Sequence, residues 1–118
     1  MGLVPWPLIA VAETASYLAW AKKVLGEEER SAIVDLLAAN PTCGALLGGT
    51  GGVRKIRFAR RGAGKSGGVR VIYYFHDVNL PVYVLAGFAK NEKANLSARE
   101  RAQLRRFVDE LREERRSK

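Results

Sequence analysis

Gly49–Phe75 reads GTGGVRKIRFARRGAGKSGGVRVIYYF, and this stretch decides the fold. Before it, apolar residues recur at helical spacing. From Val53 the period becomes two, so Lys55 and Arg57 share one face of a strand while Ile56 and Phe58 share the other. Residues 61–68, RGAGKSGG, read as a hairpin loop. Val69–Phe75 is dense in β-branched and aromatic residues and predicts a second strand.

Outward from this hairpin, His76–Pro81 reads as a turn and Val82–Phe88 as a third strand. Ser97-Ala98-Arg99-Glu100 fits a capping box, and Leu104, Phe107, Val108 and Leu111 give the following helix its inner stripe. On the N-terminal side, Leu8–Val11 predicts a short strand. Ala15–Leu25 predicts a helix that Gly26 breaks, and Glu27–Glu29 open a second helix that Asn40-Pro41 closes. Residues 41–52 read as a glycine-rich loop. The order is strand, two helices, three strands, one helix. It predicts an α+β fold with an antiparallel sheet, two N-terminal helices and one C-terminal helix, the helices gathered on one face.

The chain has 118 residues, 47% of them apolar, which suits one domain over 1–118 with disorder only in the last few residues. Charge is unevenly spread. Residues 1–52 carry three basic and five acidic side chains; residues 53–118 carry seventeen basic and seven acidic. Arg54, Lys55, Arg57, Arg60, Arg61, Lys65 and Arg70 fall within 53–70, which has no acidic residue. That concentration points to a polyanion, and to nucleic acid over a membrane because no broad apolar helix face accompanies it. Leu3–Ala12 is too short to span a bilayer and lacks a basic leader. Cys43, the only cysteine, excludes an internal disulfide and fits a cytoplasmic setting.

Ala59–Ser66, ARRGAGKS, matches a loose nucleotide-binding pattern, but a strand follows where a phosphate loop needs a helix, so nucleotide hydrolysis is rejected. RNA can instead be cut without metal or cofactor, by attack of its own 2′-hydroxyl on the adjacent phosphate. Arginines can clamp the phosphate, and a lysine crowded by other cations can move a proton. Lys55, Arg57, Lys65, Arg70, Tyr74 and Lys90 are the candidates for that chemistry. Arg54, Arg60, Arg61 and Phe88 are candidates for holding RNA, Phe88 or Tyr74 by stacking on a base. On the residues alone, each also fits a solvated sheet face or a core.

The run Gly49–Phe75 resembles the signature of the RelE/HigB-like toxins of type II toxin–antitoxin systems, within the RelE/ParE superfamily. Asn40-Pro41, Phe88-Ala89-Lys90-Asn91-Glu92 and Leu96-Ser97 extend the resemblance from about Ile9 to Leu111. It implies the RelE/ParE-like fold, ribosome-dependent cleavage of translated mRNA, and a helix-turn-helix antitoxin as partner. By position, Lys55 and Arg57 match the basic strand pair, Arg70 the phosphate-binding arginine, Lys65 the loop lysine and Lys90 the late basic residue. Ser97 stands near the position where RelE toxins place a catalytic tyrosine, which leaves Tyr74, Lys55 and Lys65 as alternatives for the base. A ParE-type inhibitor of DNA gyrase and an inactive RNA-binding relative are the competing readings.

Overall fold

In the computed structural model the described residues are 8–59, 68–90 and 95–117. Strand β1 (Val11–Glu13) leads into helices α1 (Ala15–Val24) and α2 (Glu27–Ala39). Strands β2 (Ala45–Leu46), β3 (Val53–Phe58), β4 (Val69–Tyr74) and β5 (Val82–Ala89) follow, then helix α3 (Ala98–Arg116). They form one five-stranded sheet in the order β1-β5-β4-β3-β2. The β3-β4-β5 meander is antiparallel as the alternation predicts, but β1 runs parallel to β5, so the sheet is mixed.

The caps follow from the sequence. Thr14 Oγ1 accepts from the Tyr17 amide, and Asn40 caps the C-terminus of α2. At α3, Ser97 Oγ accepts from the Glu100 amide at 3.1 Å while Glu100 Oε1 accepts from the Ser97 amide at 2.9 Å. Two expectations on local structure change. The first strand lies at Val11–Glu13 rather than Leu8–Val11, because its register is set by Val82–Val84 of β5. The loop 41–52 contains β2, held by pairing to Arg54 and Lys55.

The larger correction concerns layers. The helices are not gathered on one face. Tyr17, Ala21, Ile33 and Leu37 of α1 and α2 pack with Ile56, Val71, Tyr73, Val82 and Val84. Val108 of α3, with Leu104, Phe107 and Leu111 beside it, packs with Val53, Ile72, Tyr74 and Phe88 on the opposite face. The two-residue period that sends Ile56 one way sends Val53 the other, so both faces of the strands carry apolar side chains and both need cover. Each large side chain buried in this way contributes about 1.5–3 kcal/mol.

The Gly49–Gly52 turn is the seat of α3. Gly51 has φ +80°, and a Cβ there would lie 3.2 Å from Arg105 Cδ and 3.3 Å from Val108 Cγ1. Arg101 donates to the Gly48 carbonyl at 2.9 Å and Arg112 to the Gly51 carbonyl at 2.9 Å. Thr50 is wholly buried; its hydroxyl donates to Leu47 O at 2.7 Å and accepts from Val53 N at 3.1 Å. The glycines thus let a helix approach closely while the threonine closes the turn.

On the α1–α2 side two tyrosine hydroxyls are buried. Burial, the larger cause, pushes Tyr17 up to about 12, with Glu13 adding and Arg30 opposing. Burial likewise pushes Tyr73 up to about 12 against the lowering effect of the Gly44 amide, which donates to its oxygen at 2.8 Å. The unfolded tyrosine titrates near 10, so between about pH 10 and 12 the folded state holds more protons than the unfolded state. Stability is therefore expected to fall as pH rises through this window, by ~1.4 kcal/mol per pH unit for each tyrosine. Urea midpoints at pH 9 and pH 11 measure this. Equal midpoints would show that neither hydroxyl is held protonated by the fold.

Candidate functional site

Strand register assembles the basic residues. Arg57 pairs with Arg70, and Arg70 with Phe88; in the next row Lys55 pairs with Ile72 and Ile72 with Ala86. Directly paired residues point to the same face, so Lys55, Arg57 and Arg70 stand together on the α3 side of the sheet. That face is apolar where α3 covers it and basic where the strands run on past the covered part.

Two arginines directly opposite each other repel, and the pairing is a cost unless an anion lies between them. Arg70 shows the same need in another way. Its Nη1 is buried and has no hydrogen-bond partner among the described residues. A buried cationic N–H without an acceptor costs several times what an exposed one does, and a phosphate oxygen would satisfy it. Arg57 is exposed and Lys55 partly so. Lys90 follows β5, exposed, with its amide donating to the Gly68 carbonyl at 3.3 Å, which draws it towards the same end of β4.

The other sequence candidates are placed differently. Arg54 lies on the opposite face, and its Nη1 donates to Thr42 O at 3.1 Å and Gly44 O at 2.7 Å, so it staples the loop before β2. Phe88 is 3% exposed and belongs to the α3-side core, so its ring is the buried β5 member of the row beside Arg70 and is not open for stacking on a base. Arg60, Arg61 and Lys65 lie outside the described residues. The strands on either side, β3 and β4, are antiparallel neighbours in register from Val53↔Tyr74 to Phe58↔Val69. A strand after ARRGAGKS, in an antiparallel pair, is not the architecture of a phosphate loop.

Tyr74 is 1% exposed and four residues along β4 from Arg70, about 13 Å at strand rise. Arg112 Nε donates to its oxygen at 3.3 Å, and its hydroxyl lies 3.0 Å from His76 Nδ1. With Arg112 donating into that oxygen, the Tyr74 proton is best given to His76 Nδ1. This leaves the imidazole proton on Nε2, 3.5 Å from Asp77 Oδ2. Arg115 closes the chain on Asp77 at 3.1 Å. The network ties α3 to the sheet. Neither Arg112 nor His76 was marked by sequence as a member of it, because the partners are separated by up to 38 residues and meet only across the packed layers. Tyr74→Phe is expected to cost about 1 kcal/mol in urea unfolding while leaving toxicity within about threefold of the parent. A hundredfold loss of toxicity at unchanged stability would put the hydroxyl in the chemistry.

Residues 10–118 match the family model described as the RelE toxin of the RelE/RelB toxin–antitoxin system. The chain belongs to the RelE toxin family. It is the toxin of a toxin–antitoxin pair, and an antitoxin is its partner by membership of that system. Among the described residues no RelE-chain helix is long and apolar enough to cross a membrane.

Proposed function

We propose that this RelE-family chain is a ribosome-dependent endoribonuclease that cuts translated mRNA by attack of a 2′-hydroxyl on the adjacent phosphate. The observation that carries the reading is the cross-strand pair Arg57–Arg70, with Arg70 Nη1 buried and unpartnered among the described residues. Arg57 and Arg70 hold the non-bridging oxygens and stabilise the charge of the phosphorane as it forms. Lys55, two residues from Arg57 on the same face of β3, removes the 2′-proton; Lys90 protonates or shields the leaving 5′-oxygen. Lys65, Arg60 and Arg61 extend the phosphate contacts from the connection between β3 and β4. The reaction requires no metal or cofactor in this scheme. The antitoxin is of the helix-turn-helix class, as in the HigB-like branch that the sequence resembles, and the setting is cytoplasmic.

Brief induction in growing bacteria followed by mapping of new mRNA 5′ ends tests this. Ends that cluster inside translated frames, keep codon register and vanish when initiation is blocked are the expected result. One feature favours a second reading: Ser97, near the position of the RelE tyrosine, is engaged as a helix cap. Growth arrest with whole transcripts and with DNA breaks would replace the nuclease by a gyrase inhibitor of the ParE type. RNA affinity without arrest or cleavage would indicate an inactive relative.

A further inference from the structure

Strand β1 covers β5 only over Val82–Val84. Beyond Val84, no described strand pairs with β5 on that side, so the half of β5 that carries Ala86 and Phe88 ends the sheet. The first turns of α1 and α3 approach this edge from opposite faces. Between them lies a cavity of about 240 Å³, lined by Ser16, Ala86, Leu96, Glu100, Gln103 and Leu104.

Its lining is divided by chemistry. Ala86, Leu96 and Leu104 offer apolar surface, while Ser16, Glu100 and Gln103 supply a hydroxyl, a carboxylate and a carboxamide. A phosphate would be repelled by Glu100. A flat ring with hydrogen-bonding edges fits such a site, since its faces need apolar walls and its rim needs donors and acceptors. Glu100 Oε1 is already taken up by the Ser97 amide. Gln103 is exposed and its side chain forms no hydrogen bond among the described residues, which leaves its carboxamide available as both donor and acceptor.

The cavity also lies on a path. Ala86 is two residues from Phe88, the β5 member of the Arg57–Arg70 row, and points to the same face. A strand of RNA held by Arg57 and Arg70 and passing outside the buried Phe88 ring reaches the edge of β5 beside the cavity. Gln103 is flanked on α3 by Arg99 and Arg106, at i−4 and i+3, both exposed and with side chains that form no hydrogen bond or ion pair among the described residues. Arg99 stands in the first turn of α3, where the helix dipole disfavours a cation, so the sequence places charge there against the local preference.

We propose that this cavity is a nucleobase subsite. It takes the base of the nucleotide next to the one held by Arg57 and Arg70. The Gln103 carboxamide, helped by the Ser16 hydroxyl, reads the base edge, and Arg99 and Arg106 hold the flanking phosphate. The subsite rests on the RNA reading of the basic row, but its test does not depend on cleavage.

The probe is a set of 2′-O-methyl uridine hexanucleotides, which cannot undergo 2′-attack, with A, C, G or U at one central position. The parent chain is expected to prefer one base by roughly three- to tenfold, and Gln103→Leu to bind all four within twofold. Arg99→Ala with Arg106→Ala is expected to weaken every hexamer alike and to flatten the salt dependence by one to two ions. Equal binding of all four bases by the parent, or a preference that survives Gln103→Leu, overturns the subsite. Arg70→Ala separates the two failures. If it binds RNA as the parent does, the basic row is not the RNA site; if it loses binding while the parent shows no base preference, the subsite alone is wrong.

Discussion

Arg70→Ala is expected to lower mRNA cleavage by about 10²–10³-fold, the usual consequence of removing one preorganised donor from a developing oxyanion. The size follows from position. Arg70 is central in its row, paired to Arg57 on one side and Phe88 on the other, and its Nη1 is shielded from water. Its charge therefore acts in a lower effective dielectric than that of an exposed arginine. Arg70→Lys is expected to recover only part of the loss, because a point charge cannot replace a planar two-pronged donor. Thermal unfolding should be unchanged or slightly improved in Arg70→Ala, since one of two opposed cations has gone. Counting new in-frame 5′ ends after induction measures the effect. Cleavage within threefold of the parent at normal protein levels would remove Arg70 from the mechanism.

Gly87→Ala is expected to lower stability by about 1–3 kcal/mol, the common cost of overpacking. Gly87 lies on β5 with the Trp20 ring of α1 against it, so a Cβ would enter the indole. Trp20 is braced in turn by Tyr17, whose ring centroid lies 6.1 Å away, and Tyr17 is wholly buried. The indole has little room to retreat, and α1 must shift from the sheet. For a domain of this size such a change is about 4–15 °C in melting temperature. Trp20→Ala in the same chain should relieve the clash, so the double variant should lose less than the two single losses added together. Strict additivity in thermal melts would show that Gly87 is not packed against Trp20.

Much of this was legible in the chain of residues. The change of period at Val53 marked β3, the capping box marked the start of α3, and parity alone put Lys55 and Arg57 on one face. Each depends on neighbours close in sequence, where backbone geometry sets the repeat. The basic cluster was equally plain, because charge can be counted without a fold. Parity could not say what covers a face. Val53 and Ile56 are both apolar and adjacent strand faces carry both, so the assignment of all helices to one side failed while the elements themselves held. Tyr74 shows the same limit: it shares parity with Arg70, yet α3 buries its ring and Arg112 takes its hydroxyl.

By itself the sequence determined the α+β class, the order of every element but β2, the Ser97 cap of α3 and the family, since these arise from local periodicity and from a long run of matching residues. Tertiary structure alone decided the parallel pairing of β1, the seating of α3 on the Gly49–Gly52 turn, and which basic side chains share a row. It also brought Ser16 and Gln103 to one cavity. The physical reason is the same in each case. Strand register and helix docking are settled by which buried surfaces fit together across the sheet, and residues that far apart in the chain leave no periodic trace of one another.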